Sequence, residues 1–220
     1  GVPGICDPKT GIIPFCTNLG WHEVPFVAEM GKYLPNRVVV DNDATVAGYA
    51  ESIAGVSKGT KSSVFITLGT GVGGGIVING KPYSGAHGIG SEIGHMIIKM
   101  DGEPCTCGNK GCFERYASAT AIIREAKRAV EKHPESAILA RCGGDAEKIN
   151  AKIVIDCAKA GDATAKQVFD EYVKGLAHGI VSLFNVLDPE VIVLGGGVSK
   201  AGDFLLDAVR AETRRYVLYK

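Results

Sequence analysis

Two periods of apolar residues organise the chain. Aliphatic and β-branched runs predict short strands over Arg37-Val38-Val39-Val40, Val64 to Leu68, Gly73 to Ile78, His95 to Lys99 and Val191 to Leu194. Gly1-Val2-Pro3-Gly4 reads as the end of a strand running into a turn, and Asn79-Gly80 as a type I′ hairpin turn. Elsewhere the spacing is helical. Val46, Ala47, Ala50, Ile53 and Ala54 mark a helix from about Ala44 to Ala54, with Asp43 at or near its N-cap. Further helices are expected over Ser118 to Lys132, Asn150 to Ala160 and about Ala163 to Leu187, the last ending before Pro189. Phe204 onward is helical, and Tyr216 to Lys220 reads as an amphipathic helix cut in mid-course. Glycine clusters punctuate these changes, and Gly85 to Gly90 reads as a flexible loop. The polar connection from Lys58 to Ser63 divides a lobe over 1–60 from one over 61–220. Strands first and helices later predict an α/β protein of two lobes.

Composition removes several classes. Lys and Arg number 24, as do Asp and Glu. That balance gives no basic footprint for nucleic acid and no acidic tail. No apolar run is long enough to span a bilayer, and no signal-peptide pattern opens the sequence. Four of the seven cysteines, Cys6, Cys16, Cys142 and Cys157, are scattered among apolar neighbours and are expected as buried free thiols. Cysteine used this way indicates a reducing compartment, with the cytoplasm as default. Gly1 rather than Met opens the chain, and the expectation is a fragment.

The other three cysteines carry the strongest chemical signal. Cys105-Thr106-Cys107-Gly108-Asn109-Lys110-Gly111-Cys112, with His95 upstream, supplies three thiols and an imidazole, one tetrahedral zinc set. The Cys-x-Cys step is tighter than zinc-finger spacing. Four protein ligands leave no open position, so the metal is structural. The second nitrogen of His95 then remains for a substrate hydroxyl or a carboxylate. Glu92 and Glu114 flank this stretch. They read as acceptors for vicinal hydroxyls, which suits a sugar, or as a solvated surface pair. The other histidines show no partner pattern. Trp21 is expected to pack beneath the Thr17-Asn18 loop.

Leu68-Gly69-Thr70-Gly71-Val72-Gly73-Gly74-Gly75 follows a strand. Its amides and the Thr70 hydroxyl form either a phosphate-cradling turn or a tight glycine-rich hairpin. A strand follows, so it is neither a P-loop nor a dinucleotide fingerprint. Strand, Gly195-Gly196-Gly197 and helix recur at Val191 to Ser199, where the glycines would admit a flat base or ribose, or merely open a helix. Asp43 after Asn42 suits a general base with an orienting amide. The plainer alternative is an N-cap, and the two are compatible.

These residues reach a family. The sequence resembles the ROK family (repressor, open reading frame, kinase), most closely its bacterial glucokinases, collinearly over all 220 residues. The motifs that carry the resemblance are Val40-Asp41-Asn42-Asp43-Ala44, the Leu68 to Gly75 loop, Gly90-Ser91-Glu92-Ile93-Gly94-His95, Cys105 to Glu114, and Gly195 to Ser199. The resemblance implies an actin-like, ribonuclease-H-like ATPase fold with two lobes and a cleft. It implies that Asp43 takes the proton of a hexose 6-hydroxyl. Asn18, Asn42, Glu92, His95 and Glu114 would hold other hydroxyls. Gly69, Thr70 and Gly71 would meet the ATP phosphates with Mg²⁺, and Gly196 and Gly197 the adenosine. Such positioning suits phosphoryl transfer. The family's opening Asp-x-Gly-Gly-Thr phosphate loop has no match here, so this chain alone is expected to show little kinase activity.

Glucose is the first-choice substrate, with N-acetylmannosamine, N-acetylglucosamine and fructose as alternatives. A sugar-responsive repressor of the same family is the runner-up, and a zinc-stabilised binding module without catalysis is the third reading. The kinase reading involves no nucleic acid and no membrane. The family is often dimeric, and the helix over 163–187 is a candidate contact.

Overall fold

A computed structural model describes residues 1–16 and 19–218. It divides into two compact units. The first comprises Gly1–Ile66, Gly73–Ile93 and Pro189–Val193; the second comprises Thr67–Val72, Gly94–Asp188 and Leu194–Lys220.

The first unit opens with an antiparallel meander of β1 (Ile5–Asp7), β2 (Ile12–Cys16) and β3 (Trp21–Val24). Val2, Cys6, Ile13, Cys16 and Val40 form its core, with Trp21, Val24, Phe26 and Val27 packed around them. A short helix α1 (Phe26–Gly31) follows. Thr17 and Asn18 lie outside the described residues, so the packing expected of Trp21 beneath them does too; its ring lies 6.0 Å from that of Phe26. The strand predicted at Arg37 to Val40 does not form. A single parallel bridge, Val2 to Asn42, forms just past the segment.

Helix α2 (Asp43–Ala54) comes next. A second sheet runs in the order β6-β5-β4-β7, from β4 (Ser63–Leu68), β5 (Val72–Ile78), β6 (Lys81–Pro82) and β7 (Val191–Gly195). The hairpin closes where expected: Ile78 pairs with Lys81, and Asn79 and Gly80 take φ of 53° and 72°. Gly48 of α2 faces Gly75 of β5 so closely that a Cβ on Gly48 would lie 2.8 Å from the Gly75 Cα. Helix and strand meet backbone to backbone there.

The second unit is helical. Its elements are α3 (Glu114–Ala117), α4 (Ala119–Lys132), α5 (Ala137–Arg141), α6 (Ala151–Lys159), α7 (Ala163–Leu187) and α8 (Asp203–Thr213). Side-chain caps set the starts. Ser118 accepts from Ala121 N–H, Asn150 from Ile153 N–H and Asp162 from Ala165 N–H. Asp188 ends α7 in the left-handed conformation ahead of Pro189. α4, α6 and α8 all pack on α7. Cys142 and Cys157 are buried free thiols here, as Cys6 and Cys16 are in the first unit.

Two further predicted elements differ. His95 to Lys99 is not a strand; a 3₁₀ turn spans Ile93–His95, and Ile97 makes a single bridge to Cys112. The backbone there serves loop closure, with Ile98 N–H donating to Gly111 O and Phe113 N–H to Met96 O. The helix expected at Tyr216 ends earlier, at Thr213. Tyr216 instead turns back, its hydroxyl donating to Glu212 Oε1 at 3.0 Å and its ring meeting His178 edge-on. No helix among the described residues is long and apolar enough to cross a membrane.

Candidate functional site

The first unit carries Asn42, Asp43 and Glu92. Val2 fixes the entry, donating its N–H to Asp41 O at 3.0 Å and accepting from Asp43 N–H at 3.1 Å. Asn42 then caps α2: its Oδ1 accepts from Ala44 N–H at 2.9 Å and Thr45 N–H at 3.2 Å, while its Nδ2 donates to Gly4 O at 3.3 Å. The cap is therefore Asn42 rather than Asp43, because Asn42 still has extended ψ while Asp43 is already the first helical residue. Relieved of capping, the Asp43 side chain is exposed on the first turn, where the helix end favours negative charge; its Oδ1 accepts from Ala44 N–H at 2.8 Å. Glu92 is exposed between buried Ser91 and Ile93.

The second unit carries the other described candidates. One ligand atom each from His95, Cys105, Cys107 and Cys112 lies within 4.8 Å of the rest. Cys107 Sγ is 3.6 Å from Cys112 Sγ, and Cys105 Sγ is 3.7 Å from His95 Nδ1. A tetrahedron with metal–sulfur bonds of about 2.3 Å has edges of about 3.8 Å, so the donor set fits zinc. Turn bonds hold the spacing, with Cys105 N–H on Asn109 O at 2.8 Å and Gly108 N–H on Cys105 O at 3.0 Å. Burial pushes the Cys105 thiol up to about 12 and raises Cys112, whereas a backbone hydrogen bond at Asn109 lowers exposed Cys107. A bound metal would take all three as thiolates.

Glu114 adjoins both the cluster and the glycine loop. Its Oε1 accepts from Cys105 Sγ at 3.0 Å. Its Oε2 lies 2.8 Å from where a Cβ on Gly71 would stand. The loop is pinned to the start of α4: Gly69 O accepts from Ala119 N–H at 2.8 Å, and Thr70 O from the Thr120 hydroxyl at 2.7 Å. Thr70 is left exposed. Gly196 sits against the strand feeding this loop. Its φ is +85°, and a Cβ there would meet Leu68 O at 2.6 Å. Gly197 has helical angles, and a Cβ there would meet nothing within 4 Å among the described residues.

The structure thus strings Cys105, Glu114 and Gly71 together, and sets Gly196 on the residue before Gly69. Asn42 and Asp43 are neighbours in the first unit, and Asn18 lies outside the described residues. Thr120 and Ala119 were not singled out from sequence; their only signal was the cap-like Ser118-Ala119-Thr120 run. A cavity of about 660 Å³ in the second unit is lined by Glu103, Tyr116, Arg124, Glu125, Arg128 and Tyr172 among others, and holds none of the predicted site residues. Its arginines are already paired with Glu103 and Glu125.

The ROK family pattern matches residues 1–220. The glucokinase of Halalkalibacterium halodurans is 43% identical over 222 residues, covering 99% of this chain and 66% of that protein. The glucokinase of Thermotoga maritima is 36% identical, covering 99% and 69%. The xylose repressor of Caldicellulosiruptor bescii is 29% identical, covering 96% and 52%. Among solved structures, a ROK family glucokinase from Streptomyces griseus in complex with glucose and AMPPNP superposes with a TM-score of 0.90 at 35% identity, covering 99% of this chain and 70% of that one. The chain therefore spans about two thirds of the length of the glucokinases it matches.

Proposed function

Because this chain belongs to the ROK family, we propose that its protein transfers the γ-phosphoryl group of ATP to a hexose 6-hydroxyl, with glucose as substrate. The observation that carries the reading is Glu114, whose carboxylate contacts Cys105 of the cysteine cluster and lies where a side chain on Gly71 would point. A hydroxyl acceptor beside a glycine loop suits a sugar and a phosphate together better than either alone. Asp43 takes the proton from the attacking hydroxyl as general base. Asn18, Asn42, Glu92, His95 and Glu114 accept from or donate to the other hydroxyls. Gly69, Thr70 and Gly71 face the phosphates, and Gly196 and Gly197 the adenosine. Mg²⁺ would supply charge neutralisation at the phosphates. Zinc on His95, Cys105, Cys107 and Cys112 would be structural, fixing the ring of His95 so that its free nitrogen keeps one orientation. The reading places the protein in the cytoplasm.

The test is an ATP-coupled phosphorylation screen on the full-length protein over glucose, fructose, N-acetylmannosamine and N-acetylglucosamine, with Asp43→Asn as control. Turnover on glucose, reduced on the order of 10²-fold or more in the control, is expected. The repressor similarity supplies the second reading. Absence of turnover on every sugar by a folded, metal-loaded protein would select it.

A further inference from the structure

We propose that Gly71 is a positioning residue for the hexose: the side chain it lacks reserves the space that the Glu114 carboxylate occupies. The inference rests on the kinase reading, which assigns Glu114 to a sugar hydroxyl. Gly71 is not among the glycines with positive φ, so its backbone does not demand glycine. Nor does general crowding. Among the described residues, and leaving out its chain neighbours, a Cβ at Gly71 would have only Glu114 within 4 Å, Oε2 at 2.8 Å and Cδ at 3.9 Å. Gly69, two residues earlier, meets nothing described within 4 Å, so it does not share the constraint.

The contact at 2.8 Å is inside van der Waals range. A methyl group at Gly71 would drive Oε2 away by about 0.5 Å or more. The opposite oxygen lies 3.0 Å from Cys105 Sγ, which blocks retreat on that side whether the sulfur is thiol or thiolate. Pressure from the loop must therefore swing the carboxylate out of place. Because the displaced atom ends a flexible side chain, the fold survives. What is lost is the aim of a charged hydrogen-bond acceptor.

The competing account is that Gly71 is small only to let phosphates approach its amide. The two accounts differ in whether glucose binding suffers through Glu114. Binding of glucose in the absence of nucleotide is measured calorimetrically on the full-length protein, for Gly71→Ala, Glu114→Ala and the double variant. Gly71→Ala is expected to weaken glucose roughly 10- to 100-fold, the worth of a hydrogen bond to a charged group. In the Glu114→Ala background the same change should weaken glucose by less than about twofold. Glu114→Asp, which withdraws the carboxylate from Gly71, provides a second background with the same expectation should Glu114→Ala fail to fold. Unchanged glucose binding in Gly71→Ala, or an equal glucose defect in all backgrounds, overturns the inference alone. A parent that binds no hexose overturns the kinase reading and the inference with it.

Discussion

Gly196 and Gly197 are adjacent, and the structure gives them opposite reasons for being glycine. Gly196→Ala places a side chain at φ +85°, which costs about 1–2 kcal/mol. Its Cβ would also meet Leu68 O, N and C at 2.6, 2.7 and 2.8 Å. These are backbone atoms of a buried strand and cannot turn away, so the total reaches about 3 kcal/mol. In a chain of this size each kcal/mol moves the melting temperature by roughly 2–4 °C, so the variant should melt about 6–12 °C lower. Gly197→Ala meets nothing within 4 Å among the described residues and keeps φ −64° and ψ −39°. It should gain about 0.4–1 kcal/mol through the unfolded chain and melt slightly higher. If glycine at 197 is not for the fold, it is for what lies against it. Gly197→Ala should therefore weaken binding of a fluorescent ATP analogue several-fold while leaving the protein more stable. Calorimetric scans and nucleotide titrations on both variants decide this. A Gly197→Ala protein that melts well below the parent, or that binds nucleotide unchanged, refutes the reasoning.

Three further outcomes are expected. Asp162→Ala should cost about 1–2 kcal/mol by thermal unfolding, because the side chain caps α7 through Ala165 N–H and also holds Ala137 N–H and the Ser136 hydroxyl. Burial alone would raise the Asp162 carboxyl, but those hydrogen bonds hold it below the usual carboxylate range. Its stabilisation is therefore complete above the ordinary value near 3.9 and lost as pH falls through the lower folded value, so parent and variant should converge only below about pH 4. Tyr172→Phe should leave stability unchanged or raise it, since the hydroxyl is buried without a partner among the described residues; a loss of more than about 1 kcal/mol would reveal a partner. Cys107→Ser should lower bound zinc well below about one per chain by atomic absorption, and an unchanged stoichiometry would reject the four-ligand set.

What the sequence disclosed depended on how local the cause was. The bounds of α7 were legible because Asp162, the 3.6-residue spacing and Pro189 all act within a turn of the helix ends. The Asn79-Gly80 turn and the cysteine cluster were equally local. The β1–β3 meander was hidden. Pro14 lies in its middle strand, where proline argues against strand, and is tolerated because the β1–β2 register shifts nearby. The false strand at Arg37 to Val40 had the right residues but no strand pairs with it among the described residues. Site residues could be named from motifs. Their relations could not: that Glu114 reaches Cys105 on one side and Gly71 on the other, or that Thr120 ties down Thr70, depends on contacts across 9 to 50 residues of chain.

Phe113, next to the last cysteine of the cluster, is fully buried, and a Cβ on Gly179 of α7 would stand 2.2 Å from its ring. Ring and notch are thus a matched pair 66 residues apart. In the history of the chain neither can drift alone. A larger residue at 179 has to arrive with a smaller one at 113, or follow it, so substitutions at these two positions should appear together across descendants. Lineages that abandon the cysteines would still be bound by this pairing, because the ring fills α7 whether or not a metal is held beside it.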